Sequence, residues 1–415
     1  MVLALPDLVA IRWLSVTKSI AGPGSRTRAA MFGRCCVGRT ITRARTCLMY
    51  WKKSAQAADY PIYQMPTAVF GGVPQADTRL QLPRRGKWLL FPVFGVPVLF
   101  FGLILSAGAE AKGTGYVFVS HEKTNNVAVI DPKQDYKIIK WIQTSRRPRD
   151  MKFRDSRRQL YVACGDDDVI DVIDVATLSV VDHIPTGPSP EMFELSRDER
   201  TLYVSNEEGS SVQEISIVDK TIVREIATGA EPEGIAVSSD GKTIYVTSEV
   251  TDMVHVIDAV AGVVTDNIVV GTRPRRFLML PDGKELWVSN ELSGQISVID
   301  RSTNRVSAAL DFVPPGFRQV DVTPVGMTMT RDGSSAIIAL GRANHVAFVD
   351  PLSKKVKSYV LVGSRAWGVA LSPDDSTLYV ANGLSDDLSI VDTTTRKAFR
   401  TVSVGRVPHS VLVDD

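Results

Sequence analysis

From Tyr116 to the C-terminus the chain repeats one segment of about forty residues seven times. Each copy runs through a Gly-x-x-Pro turn, a short apolar strand, an Asp-Gly-type turn, a Leu-Tyr-Val-Ser-Asn strand end and a Val-x-Val-Ile-Asp strand. The clearest strand ends are Leu202–Asn206, Ile244–Ser248, Leu286–Asn290 and Leu378–Asn382. Turn prolines fall at Pro148, Pro190, Pro232, Pro274, Pro324 and Pro408, with Ala366 standing in once. Successive positions lie 42 residues apart, except for a single interval of 50. A fixed period of this length built from four short strands predicts a β-propeller, in which no repeat can bury its faces without its neighbours.

The expectation is therefore an all-β, seven-bladed propeller with four antiparallel strands per blade. In the copy from Pro232 to Gly271 the strands fall at Gly234–Ser238, Ile244–Thr247, Met253–Ile257 and Val263–Val270. The inner strands are apolar at nearly every position, as expected for a sheet sandwiched between two others. Asp131, Asp174, Asp258, Asp300, Asp350 and Asp392 end the third strand as turn formers, and Ser216 takes that place in the third copy. The first copy lacks an inner strand, whereas the chain ends on a spare one, Ser410–Val413. The last strand is thus expected to complete the first blade and close the ring, which removes exposed sheet edges.

The formal net charge of +2 conceals two opposite segments. Residues 1–87 carry 14 Lys and Arg against 3 Asp and Glu, and show no strand period. From Lys112 onward 34 basic residues face 42 acidic ones. An Arg-rich, acid-poor start fits a transit peptide or a nucleic-acid arm, but reads better as an extension upstream of the true start, with Met65 a candidate. Arg84-Arg85-Gly86-Lys87, the apolar run Trp88–Ala107 and the Ala109-Glu110-Ala111 site together form a secretory signal. Cleavage after Ala111 would release residues 112–415 as an exported, periplasmic propeller. Left uncut, residues 88–107 are long enough to anchor it in a membrane. The released body holds one cysteine, Cys164, read as a small buried residue; it has no partner for a disulfide.

The repeats resemble the YVTN-type β-propeller family over Tyr116–Asp415, on the strand ends above and on the turns Gly229–Pro232 and Gly271–Pro274. Within that family the chain is most similar to the periplasmic seven-bladed proteins associated with PQQ-dependent alcohol catabolism. The resemblance implies an exported accessory protein beside a quinone-dependent oxidation system. Its motifs are structural and do not imply a chemistry.

A site is therefore sought where the repeats differ. The residue after each turn proline should ring the central channel on one face. Around the ring it is Arg149, Glu191, Glu233, Arg275, Val325, Trp367 and His409. Arg149, Glu191, Glu233, Arg275, Trp367 and His409 are the candidate ligand-binding residues, the alternative being a solvated rim of compensating charges. Glu122, Glu207, Glu249 and Glu291 follow the second strand at one equivalent position, and Arg146-Arg147, Arg276, Arg365 and Arg406 alternate with them. The long interval comes from an insertion over Phe312–Arg318 on the same face. Phe312, Phe317 and Arg318 are expected there as exposed partner-binding residues, or else as a packed loop.

Several chemistries have no support in the sequence. Without Cys-x-x-Cys-His there is no covalent haem site. His121, His183, His255, His345 and His409 form no close ligand pair, and no metal site or cofactor is assigned. Interspersed charge excludes the continuous basic track that nucleic acid requires. Three functions stay open. The first is a non-enzymatic propeller that binds a periplasmic protein or small ligand at the Pro-turn face. The second is a lactonase-like hydrolase with Glu191 or Glu233 as base, assisted by His409 and an arginine. The third is a non-covalent haem or quinone carrier using His409 and Trp367.

Overall fold

The structure is a computed structural model that describes residues 113–154 and 158–415. The basic segment, the apolar run and the Ala-x-Ala site lie outside the described residues. Among the described residues are seven sheets of four antiparallel strands, one sheet per repeat. Blade 4 shows the plan: Pro232–Val237 innermost, then Thr243–Ser248, Met253–Asp258 and Val263–Val269 at the rim. These bounds lie within two residues of those expected from the repeat.

Seven apolar clusters account for the two-sided hydrophobicity, because each lies between a different pair of neighbouring blades. Successive side chains of a strand point to opposite faces. Leu202 and Val204 accordingly pack towards blade 2, while Tyr203 between them packs towards blade 4. The same split places Leu286 and Val288 against blade 4 and Trp287 against blade 6. The Leu-Tyr-Val word is thus a two-faced connector.

Ring closure follows the expected route. Pro408–Val413 is the inner strand of blade 1 and pairs with Val117–His121, matching Val117 to Val413 and Val119 to Val411. The pairing extends past the strand ends. The Thr114 backbone N–H and hydroxyl both donate to Asp414 Oδ2 at 2.7 Å, and Asp414 N–H donates to the Tyr116 carbonyl at 2.9 Å. The strand-ending aspartates cap turns as expected: Asp174 and Asp258 each accept two backbone N–H groups at 2.8–2.9 Å. Ser216 does the same work in blade 3, its hydroxyl accepting from Asp219 N–H at 3.2 Å.

The Ser/Thr of the strand-end word carries the architecture to the channel. Six of the seven inner strands, all but the short one of blade 6, have a register shift just after the turn residue. The shift leaves an N–H without a ladder partner, and the hydroxyl one strand outward accepts it. Thr247 Oγ1 accepts from Gly234 N–H at 2.7 Å and donates to the Arg275 carbonyl of blade 5 at 3.1 Å. Ser205 donates likewise to the Glu233 carbonyl at 2.5 Å, and Ser120 to the Arg149 carbonyl at 2.7 Å. One hydroxyl therefore fixes its own blade's bulge and the next blade's channel residue. Thr247→Val, which keeps the shape and removes the hydroxyl, should cost about 1–3 kcal/mol in denaturant unfolding. A loss below about 0.5 kcal/mol would contradict this role.

The turns use a second device. The residue before the turn proline has φ of 53–60° in Arg147, Ser189, Glu231, Arg273 and Val407, as does Arg365 before Ala366. Non-glycine residues rarely adopt this conformation, and a β-branched Val almost never does. An Asp or Asn of the preceding blade holds five of them: Asn125 accepts from Arg147 N–H, Asp168 from Ser189, Asp252 from Arg273, Asn344 from Arg365 and Asp386 from Val407, all at 2.8–3.0 Å. In blade 5 the equivalent residue is Gly294, with φ of 69°. A Cβ there would lie 2.7 Å from the Gln319 carbonyl, so glycine makes room for the insertion seated on that turn.

Candidate functional site

The residues after the turns converge inside the channel. The carbonyls of Arg149, Glu233 and Arg275 are fixed by hydroxyls of the preceding blades, which anchors these residues at the channel. Arg149, Glu191, Glu233, Arg275, Trp367 and His409 are all buried there, as is Val325. The alternative of a solvated rim is therefore overturned: the candidate residues form a plug across the channel.

The plug is an ion-pair network. Glu191 lies between two arginines, with Arg149 Nε at 2.7 Å and Arg147 Nη2 at 2.9 Å. Glu233 faces Arg275 Nη1 at 3.1 Å, Arg276 Nη2 at 3.2 Å and Arg149 Nη2 at 3.9 Å. Arg275 also pairs with Glu249 and, through Nε at 3.2 Å, with Glu291. Arg273 braces the same two carboxylates at 2.6 and 3.5 Å. Glu207 lies 3.4 Å from Arg147, and Glu122 lies 3.7 Å from Arg149. Those glutamates point inward because their N–H groups are tied to the turn: Glu207 bonds the Ser189 carbonyl, Glu249 that of Glu231 and Glu291 that of Arg273.

Burial alone would raise the Glu233 carboxyl, but Arg275, Arg276 and Arg149 outweigh it and hold it at about 2. For Glu191 burial prevails over Arg149 and pushes the carboxyl well above the usual range. His409 is held well below the imidazole range by burial and then by Arg149, Arg276 and Arg275. Its Nε2 faces Arg276 Nη2 at 3.0 Å and so accepts, which leaves the ring proton on Nδ1. Burial likewise brings His121 down to about 4, against its bond to Asn126.

A histidine buried neutral must take up a proton when the chain unfolds below pH 6.5. Each such group therefore loses stability as pH falls beneath that value, by up to about 1.4 kcal/mol per unit. In His409→Gln the decline between pH 6.5 and 5 should be shallower than in the parent. An unchanged slope would contradict a neutral His409.

Above the plug a cavity of about 160 Å³ opens at the Pro-turn face, lined by Glu122, Arg149, Arg275, Arg365, Trp367 and His409 among others. Below it lies a lumen of about 310 Å³, bordered by Met151, Met192, Met279 and Met327 and by the Lys152–Glu194 pair, 2.8 Å apart. Trp367 and His409 border both spaces. The Trp367 and His409 ring centres lie 5.8 Å apart with the planes tilted by 48°, and the Arg275 and Arg365 guanidiniums lie 5.0 and 4.6 Å from the Trp367 ring centre.

The insertion lies on the expected face but is not presented as expected. Phe312 is fully buried in the cluster between blades 5 and 6, so its expected exposure is corrected. The chain after Asp311 folds inward to fill the gap before the short inner strand of blade 6, Met327–Met329. Phe317 is half-buried and meets His345 edge-on at 5.6 Å. Arg318 alone of the three is exposed, and it pairs with Asp321 at 2.8 Å.

Cys164 is buried, and burial followed by Asp171 raises its thiol well above the ordinary value. Among the described residues no group of three His, Cys, Asp or Glu is placed to hold a metal ion. Glu191 and Glu233, the carboxylates nearest to such a role, are committed to guanidiniums.

Sequence reasoning missed Arg147 and Arg273 as partners in the network, and it missed a pattern on the face itself. Two residues beyond each second strand, or three in blade 6, stand Lys123, Asp166, Glu208, Val250, Leu292, Arg342 and Leu384, all exposed. The first three blades thus present charge. Blades 4, 5 and 7 present bare aliphatic side chains, joined by exposed Val313 and Val320 of the insertion. Aligning the repeats at this position would have revealed it.

Comparisons with known proteins agree with this architecture. Residues 108–241 match the family model described as YNCE-like beta-propeller, and residues 213–311 match that of the seven-bladed beta-propeller lactonases. No curated protein sequence matches the chain. Among solved structures, the periplasmic gluconolactonase of Pseudomonas aeruginosa is similar at 20% identity and a TM-score of 0.62, over 72% of this chain and 99% of that one. Hydrazine synthase of Kuenenia stuttgartiensis is similar at 21% identity and a TM-score of 0.61, over 67% and 92%. Dihydro-heme d1 dehydrogenase NirN, solved in complex with DHE, is similar at 15% identity and a TM-score of 0.56, over 72% and 75%. These likenesses, together with the seven sheets, establish the chain as a seven-bladed β-propeller.

Proposed function

We propose that the protein is an exported binding propeller that docks a protein partner on its Pro-turn face, as an accessory to a periplasmic oxidation system. The observation that carries this reading is the arc of exposed Val250, Leu292, Val313, Val320 and Leu384 over blades 4 to 7. Isolated aliphatic residues on a surface are ordinary, but the recurrence of Val250, Leu292 and Leu384 at one structural position, interrupted in blade 6 by Arg342 and joined by Val313 and Val320 of the insertion, favours an interface. The plug supports it from the other side. Glu191 and Glu233 are buried within guanidiniums and His409 Nε2 accepts a bond from Arg276, so both carboxyls and that ring nitrogen already have protein partners. Export rests on the signal pattern of residues 84–111, and it agrees with the likeness to a periplasmic protein.

The test compares the parent with Leu292→Asp/Leu384→Asp as bait in a periplasmic extract of the native host. A protein retained by the parent and lost by the variant, with unchanged melting temperature, supports the reading. Equal retention by both overturns it.

Lactone hydrolysis is the second reading, favoured by the lactonase match over residues 213–311 and by Glu122, Arg149 and His409 meeting at the cavity. Turnover of any member of a lactone panel, lost in His409→Gln, would establish it.

A further inference from the structure

Six glutamates of the mouth and plug, Glu122, Glu191, Glu207, Glu233, Glu249 and Glu291, pair with only five arginines: Arg147, Arg149, Arg273, Arg275 and Arg276. Arg365 makes no ion pair with any described residue. Its backbone is held in the turn by Asn344, and its half-buried guanidinium lies 4.6 Å from the centre of the Trp367 ring. Trp367 is itself buried, and its indole N–H has no hydrogen-bond partner. A buried donor with no protein partner is costly unless another acceptor reaches it, which makes this N–H available to a bound group. Both side chains line the cavity of about 160 Å³.

We propose that this cavity is a carboxylate-binding site, in which Arg365 takes the carboxylate and Trp367 the apolar flank and a hydrogen bond. The inference deepens the binding reading of the Pro-turn face and rests on it. Arg149 and Arg275 in the lining are already paired with carboxylates, so Arg365 is the guanidinium left to meet an anion. Glu122 in the same lining repels a second negative charge, so a monoanion is preferred over a dianion such as phosphate. The volume corresponds to roughly five water molecules, which suits a short-chain acid or the terminal carboxylate of a polypeptide. Those two sources share one chemistry.

The test follows the Trp367 indole N–H resonance of the mature protein by NMR. Five probes are titrated: butyrate, its uncharged isostere butyramide, inorganic phosphate, and an acetylated tetrapeptide with a free and with an amidated C-terminus. The expected result is a saturable shift with butyrate or the free-acid peptide and none with butyramide or the amidated peptide. In Arg365→Gln, whose melting temperature should match the parent because no ion pair is lost, the apparent Kd should rise at least tenfold. Response to butyrate places the ligand among free acids, and response to the free-acid peptide alone places it on a polypeptide partner. Equal shifts from charged and amidated probes, tighter binding of phosphate than of butyrate, no shift with any probe, or a Kd unaltered by Arg365→Gln would each overturn the proposal. None of these results bears on retention of a partner by the aliphatic arc, so the two readings fail separately.

Discussion

A chain lacking Val407–Asp415 should lose cooperative unfolding altogether. The deleted strand is the inner strand of blade 1, so its absence leaves that blade with three strands and the ring open. Val117 and Val119, buried between blades 1 and 7, would lose Val411 and Val413 from their cluster. Phe118, on the opposite face, would lose Leu412. The buried Asp414 and its two bonds from Thr114 would go as well. His409 leaves with the strand, which deprives Arg276 of an acceptor within the plug. Each loss strands apolar surface or a buried polar group, and the ring cannot shed one blade without opening the next. Calorimetry should show no single transition. A truncated chain that melts cooperatively within a few degrees of the parent would contradict closure by this strand.

The second large effect is expected at the plug. Glu233→Ala should destabilise the protein by about 3–5 kcal/mol, the ordinary result of removing one partner from a buried ion-pair network. Three guanidiniums face that carboxylate, and Arg275 and Arg276 are themselves buried. Its removal leaves like charges facing each other in a low-dielectric space. The contribution has a defined pH dependence. Glu233 is held at about 2, so its stabilisation is present above the unfolded carboxyl value near 4.5 and fades as pH falls from there towards 2. Glu208→Ala, on the exposed charged arc of the same face, should change stability by less than about 0.5 kcal/mol. Denaturant unfolding of both variants decides the matter. Equal small effects would mean that the network does not hold the channel.

The ring, its seven blades and its closure were legible because period, turn and strand chemistry agree in every copy. The turn-capping role of Asp174 and Asp258 could likewise be read from local residue preferences. The channel residues were legible as positions, since the residue after each turn proline falls at a fixed register. Their state was not. Whether Arg149 and Glu191 form a wet rim or a buried plug depends on side-chain reach across the ring, and neither period nor composition encodes that distance. Phe312 failed for the same reason: an insertion shows its length in sequence, but not which of its residues turns inward to fill the gap. The hydroxyls of Ser205 and Thr247 are visible in the sequence only as letters of the strand-end word, although they join two blades. Their partners are backbone groups 28 residues away, which carry no side-chain signature.

The claim that matters most is that this face binds a partner. Amide hydrogen exchange on the complex retained by the parent bait tests it most directly. The account predicts slowed exchange in the loops 249–252, 291–294, 312–322 and 383–386, with the opposite ends of the blades unaffected. Protection confined to the turns after Asp174, Asp258 and Asp350, on the far face, would contradict it.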